Sequence, residues 1–303
     1  MEFTIKKASW LDTWWAAGRE FKILPPVDPS FAPENLGPLR WFLLRVLILP
    51  RSYRGSVLKL QAMAGGKRAG FLYGRQRGSS LHIDTLGVEE EFRRQGLARR
   101  MVSETLLFAR QLHVDYLTAA VTPQNLPAIE LFSSLEFSAY RSQRLVYEAE
   151  ALEIPSEPGW TVRELSPTET QTTYDRWFRN AIEGGDAWVS DLIVDVYKRS
   201  GWRGVARHWA CLVQDDEQGY LRITGLRGRY QAYLACAPQL WQETAQITWL
   251  KEAVDSYAYP LAGLVLEFSA DAEFKASHPV WEQAGFKVED RVRYLMIRSL
   301  RTA

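Results

Sequence analysis

A chain of 303 residues, 47% hydrophobic and 24% charged, is long enough for about two domains and too apolar to be disordered. Its net charge of +1 argues against nucleic acid or an anionic membrane surface as partner. Its two cysteines, Cys211 and Cys236, sit in strand-like runs. They read as small buried hydrophobes in a reducing compartment, not a disulfide, metal site or nucleophile.

Met1 to Lys7 lacks the apolar core of a signal peptide, which points to the cytoplasm. The longest apolar run, Trp41 to Leu49, is broken by Arg45 and falls far short of the ~20 residues a membrane span requires. Leu81 to Val88 alternates like a strand with one covered face, and its polar His82 and Asp84 point the same way. Three glutamates, 89 to 91, lead into Arg93-Arg94-Gln95-Gly96-Leu97-Ala98. From Ala98, the apolar residues Val102, Leu106, Ala109 and Leu112 recur at helical spacing. A glycine and small residues at a helix start leave its first N–H groups open, and with the dipole and nearby arginines they suit a pyrophosphate. The three-glycine dinucleotide pattern and the Lys-Ser/Thr of a P-loop are both missing. Downstream come an apolar strand, Tyr116–Val121, and the run Asn125 to Phe137.

The R-x-x-G-x-A spacing of Arg93, Gly96 and Ala98 after Leu86-Gly87-Val88 resembles the acyl-CoA signature of the GNAT superfamily of N-acetyltransferases. Asn125, Ala128, Leu131-Phe132 and a closing Glu136-Phe137, where the family has Gly-Phe, resemble its next motif. The resemblance covers residues 57–147 well. It implies an α/β (α+β) fold with a mixed, mainly antiparallel sheet flanked by helices, and acetyl-CoA as acyl donor. Leu86, Gly87 and Val88 would lie beside the pantetheine arm, and Arg93, Arg94, Gln95, Gly96, Leu97 and Ala98 would hold the phosphates. Arg99 and Arg100 are weaker candidates. Asn125 would contact pantetheine or phosphate, or cap its helix, or do both. His82 stands where family members often carry the general base, with Asp84 orienting it or a water. The family's proton-donating tyrosine falls at Phe132, which has no proton to give, so Tyr73, Tyr140 and Tyr147 are candidates instead. The aromatic opening (Trp10, Trp14, Trp15, Trp41 and Phe42) maps by resemblance to the acceptor-site helices, with most of its rings in the core.

Glu150 to Gly159 reads as a linker, giving domains at 1–149 and 160–303. After it, Trp160–Glu164 restarts a strand much as Phe3–Lys7 does. Helices follow at 167–181 and 186–199, then strands near 205–214, 219–225 and 230–237, with Asp215–Gly219 as a turn. A helix over 243–257 and a strand, Leu264–Phe268, complete the series. Val280–Phe286 lies over Leu131–Phe137 without a gap, at an offset of 149 (286 − 137). The element order repeats as well, which argues for a tandem duplication. At that offset Arg93, Gly96 and Ala98 become Gln242, Ala245 and Ile247, with Pro238 and Trp241 nearby. The second copy is expected to be degenerate, without a phosphate site. The expected reaction is direct acetyl transfer to an amine of a small molecule or peptide, with the acceptor, other acyl groups and a hydroxyl acceptor left open. A non-catalytic acyl-CoA sensor or interaction module is the alternative. The partners are acetyl-CoA and the acceptor, with no nucleic acid, membrane or metal, and a homodimer is left open.

Overall fold

A computed structural model describes residues 2–23, 55–77, 80–147, 157–183, 205–226, 229–240, 243, 246–256, 264–269, 279 and 281–300. Trp41, Phe42, the Trp41–Leu49 run, most of the linker and the helix expected at 186–199 lie outside them. The chain forms two compact units, Met1–Ser138 with Met296–Ala303, and Ala139–Leu295.

The first unit runs β1 (Phe3–Lys7), α1 (Trp10–Ile23), β2 (Leu58–Ala64), β3 (Lys67–Arg77), β4 (Ser80–Val88), α2 (Leu97–Gln111), β5 (Tyr116–Val121) and α3 (Leu126–Ser133). Strands β1 to β4 pair antiparallel in chain order, and β5 joins β4 in parallel. Gly65 and Gly66, at φ 53° and 83°, make the β2–β3 turn, since a two-residue hairpin that matches strand twist needs positive φ. At the start of α1, the Ser9 N–H donates to the Asp12 carboxylate at 2.9 Å and the Asp12 N–H to Ser9 Oγ at 3.2 Å, a reciprocal cap. Ala16 and Ala17 then let α1 sit close on Phe71 and Tyr73. Of the expected aromatic cluster, Trp15 packs edge-on to Phe71, whereas Trp10 stands 66% exposed at the first position of α1. Helix α2 buries Leu97, Met101, Val102, Leu106 and Ala109, an i, i+4, i+5 stripe.

The second unit contains most of β6 (Ser138–Tyr147), then β7 (Trp160–Glu164), α4 (Pro167–Glu183), β8 (Val205–Val213), β9 (Asp216–Leu226), β10 (Arg229–Cys236), α5 (Gln246–Asp255), β11 (Leu264–Ser269) and the first part of β12 (Phe286–Ser299). Strands β7 to β10 again pair antiparallel, with β11 parallel to β10 and β6 antiparallel to β11. The last residues of β12 belong to the first unit, where the Leu300 N–H donates to the Asp115 carbonyl at 2.8 Å. The turn expected over Asp215–Gly219 is tighter: Gln214 and Asp215 take φ 50° and 71°, and Asp216 already pairs with Val213. Both cysteines are buried free thiols, and burial, then the Glu217 carboxylate, pushes the Cys211 thiol well above its ordinary value.

The order β1, α1, β2, β3, β4, α2, β5 of the first unit returns in the second as β7, α4, β8, β9, β10, α5, β11, with a shift against the expected alignment. Four buried residues of α5 (Trp249, Leu250, Ala253 and Val254) answer to Met101, Val102, Thr105 and Leu106 of α2, one residue short of the sequence offset, while Gln246, Ile247 and Thr248 at its start are buried as well. The shortfall arises between the third and fourth strands. In β3–β4 the register slips between Tyr73 and Gly74, which face Thr85 and Ile83 and leave Asp84 as an extra residue. The β9–β10 ladder runs from Arg229–Leu226 to Cys236–Gly219 without a slip. Carried into that loop, the shorter offset would set Trp241, Thr244 and Gln246 against Arg93, Gly96 and Ala98, in place of Gln242, Ala245 and Ile247.

Candidate active site

Strand β4 is covered more fully than a half-polar strand suggests, because α1 and α2 both pack against it. Ser80, Leu81, His82 and Ile83 are all buried, and His82 is only 3% exposed. The parallel ladder pairs Ser80–Ile83 with Tyr116–Ala119 and stops there. From Asp84 to Val88, β4 continues beside β3 outside that ladder, so its peptide groups on the β5 side have no strand partner in it. The bulge and the parting of the strands coincide at Asp84.

The expected pair of polar groups is held differently from the sequence reading. His82 lies directly beside Thr118 in the register, with Nδ1 2.9 Å from Thr118 Oγ1, and Thr118 is fully buried. Asp84 forms an ion pair with Arg75 at 2.8 Å, with each side chain 13% exposed. Arg75 faces His82 across β3–β4. Asp84 is thus anchored by a guanidinium, and the group on His82 is a threonine of the neighbouring strand. Sequence reasoning singled out neither Arg75 nor Thr118. Their relevance depends on strand register, and the bulge shifts that register by one residue.

Beyond Val88 the backbone makes a 3₁₀ turn, Glu90–Phe92, then passes through Arg94 at φ 58° to Gly96 at φ 79° before α2 begins. No side chain caps α2, and the first return bond runs from the Arg100 N–H to the Gly96 carbonyl. The preceding N–H groups of that turn are the ones a helix leaves open. They face a cleft of about 460 Å³ lined by Val88, Arg93, Arg94, Gly96, Leu97 and Ala98, with Phe92, Pro127 and Leu131 as apolar walls. A Cβ built on Gly96 would point into open space, so the glycine serves its left-handed φ and keeps that space clear.

The other expected residues have different placements. Leu86 and Gly87 lie further back on β4, and a Cβ on Gly87 would come within 2.6 Å of the Phe71 ring, so that glycine admits a packed aromatic. The Arg93 Nε–H donates to the Val88 carbonyl at 3.1 Å, and the Gln95 amide donates to the Glu91 carbonyl at 3.0 Å. Arg99, on the cleft wall, donates to Ser134 Oγ at 2.5 Å, and Arg100 donates to the Phe3 carbonyl at 2.7 Å. Asn125 is the α3 N-cap, its side-chain oxygen accepting from the Ala128 N–H at 3.3 Å. Phe132 is buried edge-on against Phe137, with ring centres 5.0 Å apart. Among the described residues, no group of three or more acidic, histidine or cysteine side chains could hold a metal ion.

Comparison with known proteins bears on this geometry. Residues 23–137 match the model of the Acetyltransferase (GNAT) family. No curated protein sequence matches the chain. A GCN5-related N-acetyltransferase from Anabaena variabilis is similar over 99% of this chain and 73% of its own, at 12% identity and a TM-score of 0.52. That likeness shows a shared fold. A putative acetyltransferase from Pyrococcus horikoshii covers 99% of this chain and 90% of its own, at 15% identity and TM-score 0.49. A tandem GNAT protein from the clavulanic acid biosynthesis pathway covers 100% of both chains, at 16% identity and TM-score 0.49. The arginine–glycine loop and the uncapped helix behind it lie within residues 23–137, the stretch that is similar to the Acetyltransferase (GNAT) family.

Proposed function

We propose that the first unit moves an acetyl group from acetyl-CoA to an amine of a small molecule or peptide by direct transfer, with no covalent enzyme intermediate. One observation carries this reading: six residues expected to hold the cofactor meet in one cleft at an uncapped helix start, next to a strand edge that has left its ladder. Open N–H groups, the helix dipole and Arg94 suit a pyrophosphate. Phe92, Pro127 and Leu131 suit the apolar parts of a pantetheine arm. The edge at Leu86 and Gly87, outside the β4–β5 ladder, would offer peptide groups to its amides.

His82 would serve as general base. An amine of pKa ~10.4 must lose a proton before it attacks, which costs ~4–5 kcal/mol near pH 7. A positioned base typically supplies ~10²–10⁴-fold, roughly 3–5 kcal/mol, so one such residue is adequate. The CoA thiolate, with a thiol pKa near ~8.5, leaves without an obligatory donor. Phe132 fits that route, since its ring fills core space and carries no hydroxyl. The same observation favours a second reading, a non-catalytic acyl-CoA sensor.

Residues 1–149 and 160–303 are proposed as duplicated domains, the second without a phosphate site because Trp241 and Thr244 would replace Arg93 and Gly96. The first change removes a guanidinium, and the second puts a β-branched residue where the loop needs a left-handed glycine. A cytoplasmic location is proposed from the two free thiols, and no described helix is long and apolar enough to cross a membrane.

Calorimetric titration of acetyl-CoA into the wild-type chain and into Gly96→Glu tests the reading. Binding of one equivalent, weakened at least about 100-fold by a carboxylate placed against the phosphates, is expected. Two equivalents would overturn the assignment of the second domain, and no binding would overturn the function.

A further inference from the structure

We infer that the first unit carries a second binding site, beside α1, for the carboxylate or phosphate group of a small molecule. The site is an open cavity of about 510 Å³ between α1, the β2–β3 turn and the segment that follows β4. It is separate from the cleft at the start of α2. Glu89 and Glu91 line the one and Val88 and Phe92 the other, and no described residue lines both.

The cavity wall is built on a carboxylate that cations outnumber. Buried Asp12 accepts from Arg68 Nε–H at 2.9 Å through Oδ1, and Lys6 Nζ stands 3.6 Å from its Oδ2. One negative charge from α1 thus holds two positive ones, from β1 and β3. Lys67, next to Arg68 in the chain, also lines the cavity and has no ion pair among the described residues. Of the two glutamates, Glu89 is committed to Arg19 at 3.0 Å, and Glu91 is exposed. Over the described lining, four cations meet three carboxylates, so the cavity keeps a positive charge.

The groups left to bind an anion are already in place. Arg68 is fixed at two points: its Nε–H is on Asp12, and its guanidinium carbon lies 5.8 Å from the centre of the Trp15 ring. Its two terminal amino groups have no partner among the described residues. Such a fork matches the spacing of two oxygens on a carboxylate or phosphate. A cation held in position before the ligand arrives loses little freedom on binding. Half-buried Trp15 and Met63 give the ligand's carbon part an apolar wall.

Tryptophan fluorescence of the full chain tests this, titrated with inorganic phosphate and with acetate against chloride at equal ionic strength. A saturable change is expected in the wild type and in Gly96→Glu, whose new carboxylate lies in the other cleft, and none in Trp15→Phe. Lys67→Ala, at an exposed position, weakens binding about threefold, and Arg68→Gln at least about tenfold. Tighter binding of phosphate than of acetate makes the natural ligand a phosphate ester, and the reverse order a carboxylate. A response no different from that to chloride overturns the inference, as does one that Gly96→Glu abolishes or that persists in Trp15→Phe. So does one that neither Lys67→Ala nor Arg68→Gln weakens. Acetyl transfer enters none of these readouts, so the two readings stand or fall separately.

Discussion

In the first unit the central parallel ladder ends at Ile83–Ala119, and in the second at Ala232–Leu266, the same relative place. Both units bring a glycine of the third strand against the fourth: a Cβ on Gly70 would lie 2.7 Å from the Gly87 carbonyl, and one on Gly219 2.6 Å from that of Ala235. Each closes with an edge-on aromatic pair, Phe132–Phe137 at 5.0 Å and Trp281–Phe286 at 5.2 Å. Each first helix opens on a reciprocal cap, Ser9 with Asp12 and Ser166 with Glu169. Among the described residues, the β9–β10 ladder of the second unit has no bulge in the place of Asp84. The shared features are those that a twisted sheet with packed helices needs in order to fold. A bulge interrupts a ladder, and an uncapped helix leaves N–H groups open, so neither helps the fold. The bulge at Asp84 is a feature of the first unit's ladder that the matching ladder of the second unit does without.

The largest expected effect compares equivalent positions on the fourth strands. His82→Ala lowers kcat by ~10²–10⁴-fold at unchanged acetyl-CoA affinity. Gln231, which stands beside Val265 as His82 stands beside Thr118, has no such role. Steady-state kinetics of both alanine variants check this, and equal losses would mean that the second unit shares the chemistry. The aromatic pairs make the opposite comparison. Phe132→Ala and Trp281→Ala each remove a buried ring and cost about 3–5 kcal/mol in denaturant unfolding. Phe132→Tyr keeps the ring and leaves turnover unchanged if the thiolate needs no donor. A rise in kcat for that variant would give the position the family's tyrosine role.

A smaller effect separates the arginines of the loop. Arg94 lines the cleft, and its side chain is not tied to any of the described residues, whereas Arg99 is tied to Ser134. Arg94→Ala should weaken acetyl-CoA binding about tenfold, the worth of one charge-assisted hydrogen bond. Arg99→Ala should weaken it less. Reversed ranks in calorimetry would put the phosphates nearer the helix wall than the turn.

Much of this was legible in the chain. The strand at Leu81–Val88, the helix behind Gly96 and the order of elements in both halves follow from alternation, helical spacing and turn residues. Asn125 carried both of its readings openly, and the structure shows the cap. The partners of His82 and Asp84 were not legible. They come from β3 and β5, and which residues of those strands stand opposite depends on a one-residue bulge that leaves no periodic trace. An offset of 149 taken from Phe137 and Phe286 does not hold upstream of them, where Met101 and Trp249 stand 148 apart and Leu117 and Leu264 stand 147 apart. Glu136, where the family has glycine, holds the left-handed φ of 61° that Gly285 takes at 91°, so the substitution alters the residue but not the turn.

The two helix caps give the last comparison, between a buried and an exposed carboxylate in the same motif. Burial alone would raise the Asp12 carboxyl, but hydrogen bonds from the Ser9 N–H and Oγ–H and from Arg68, with the charge of Lys6, hold it down at about 2. A depressed carboxyl stabilises the fold above its unfolded value of 3.8, and that contribution is lost as pH falls towards 2. Asp12 is 2% exposed, so the shift converts to about 2 kcal/mol at pH 7. Glu169 is also held at about 2, by Ser166 and Arg163, but its side chain is 43% exposed, and solvent screens what it gains. Asp12→Asn should therefore destabilise the chain measurably at pH 7, with the gap to wild type closing between pH 4 and pH 2. Glu169→Gln should show little gap at any pH. Urea unfolding of both variants across that range decides the matter. An Asp12→Asn gap that does not change with pH would mean that the side chain acts by shape and not by charge, and the capping contrast between the two units would then carry no electrostatic part.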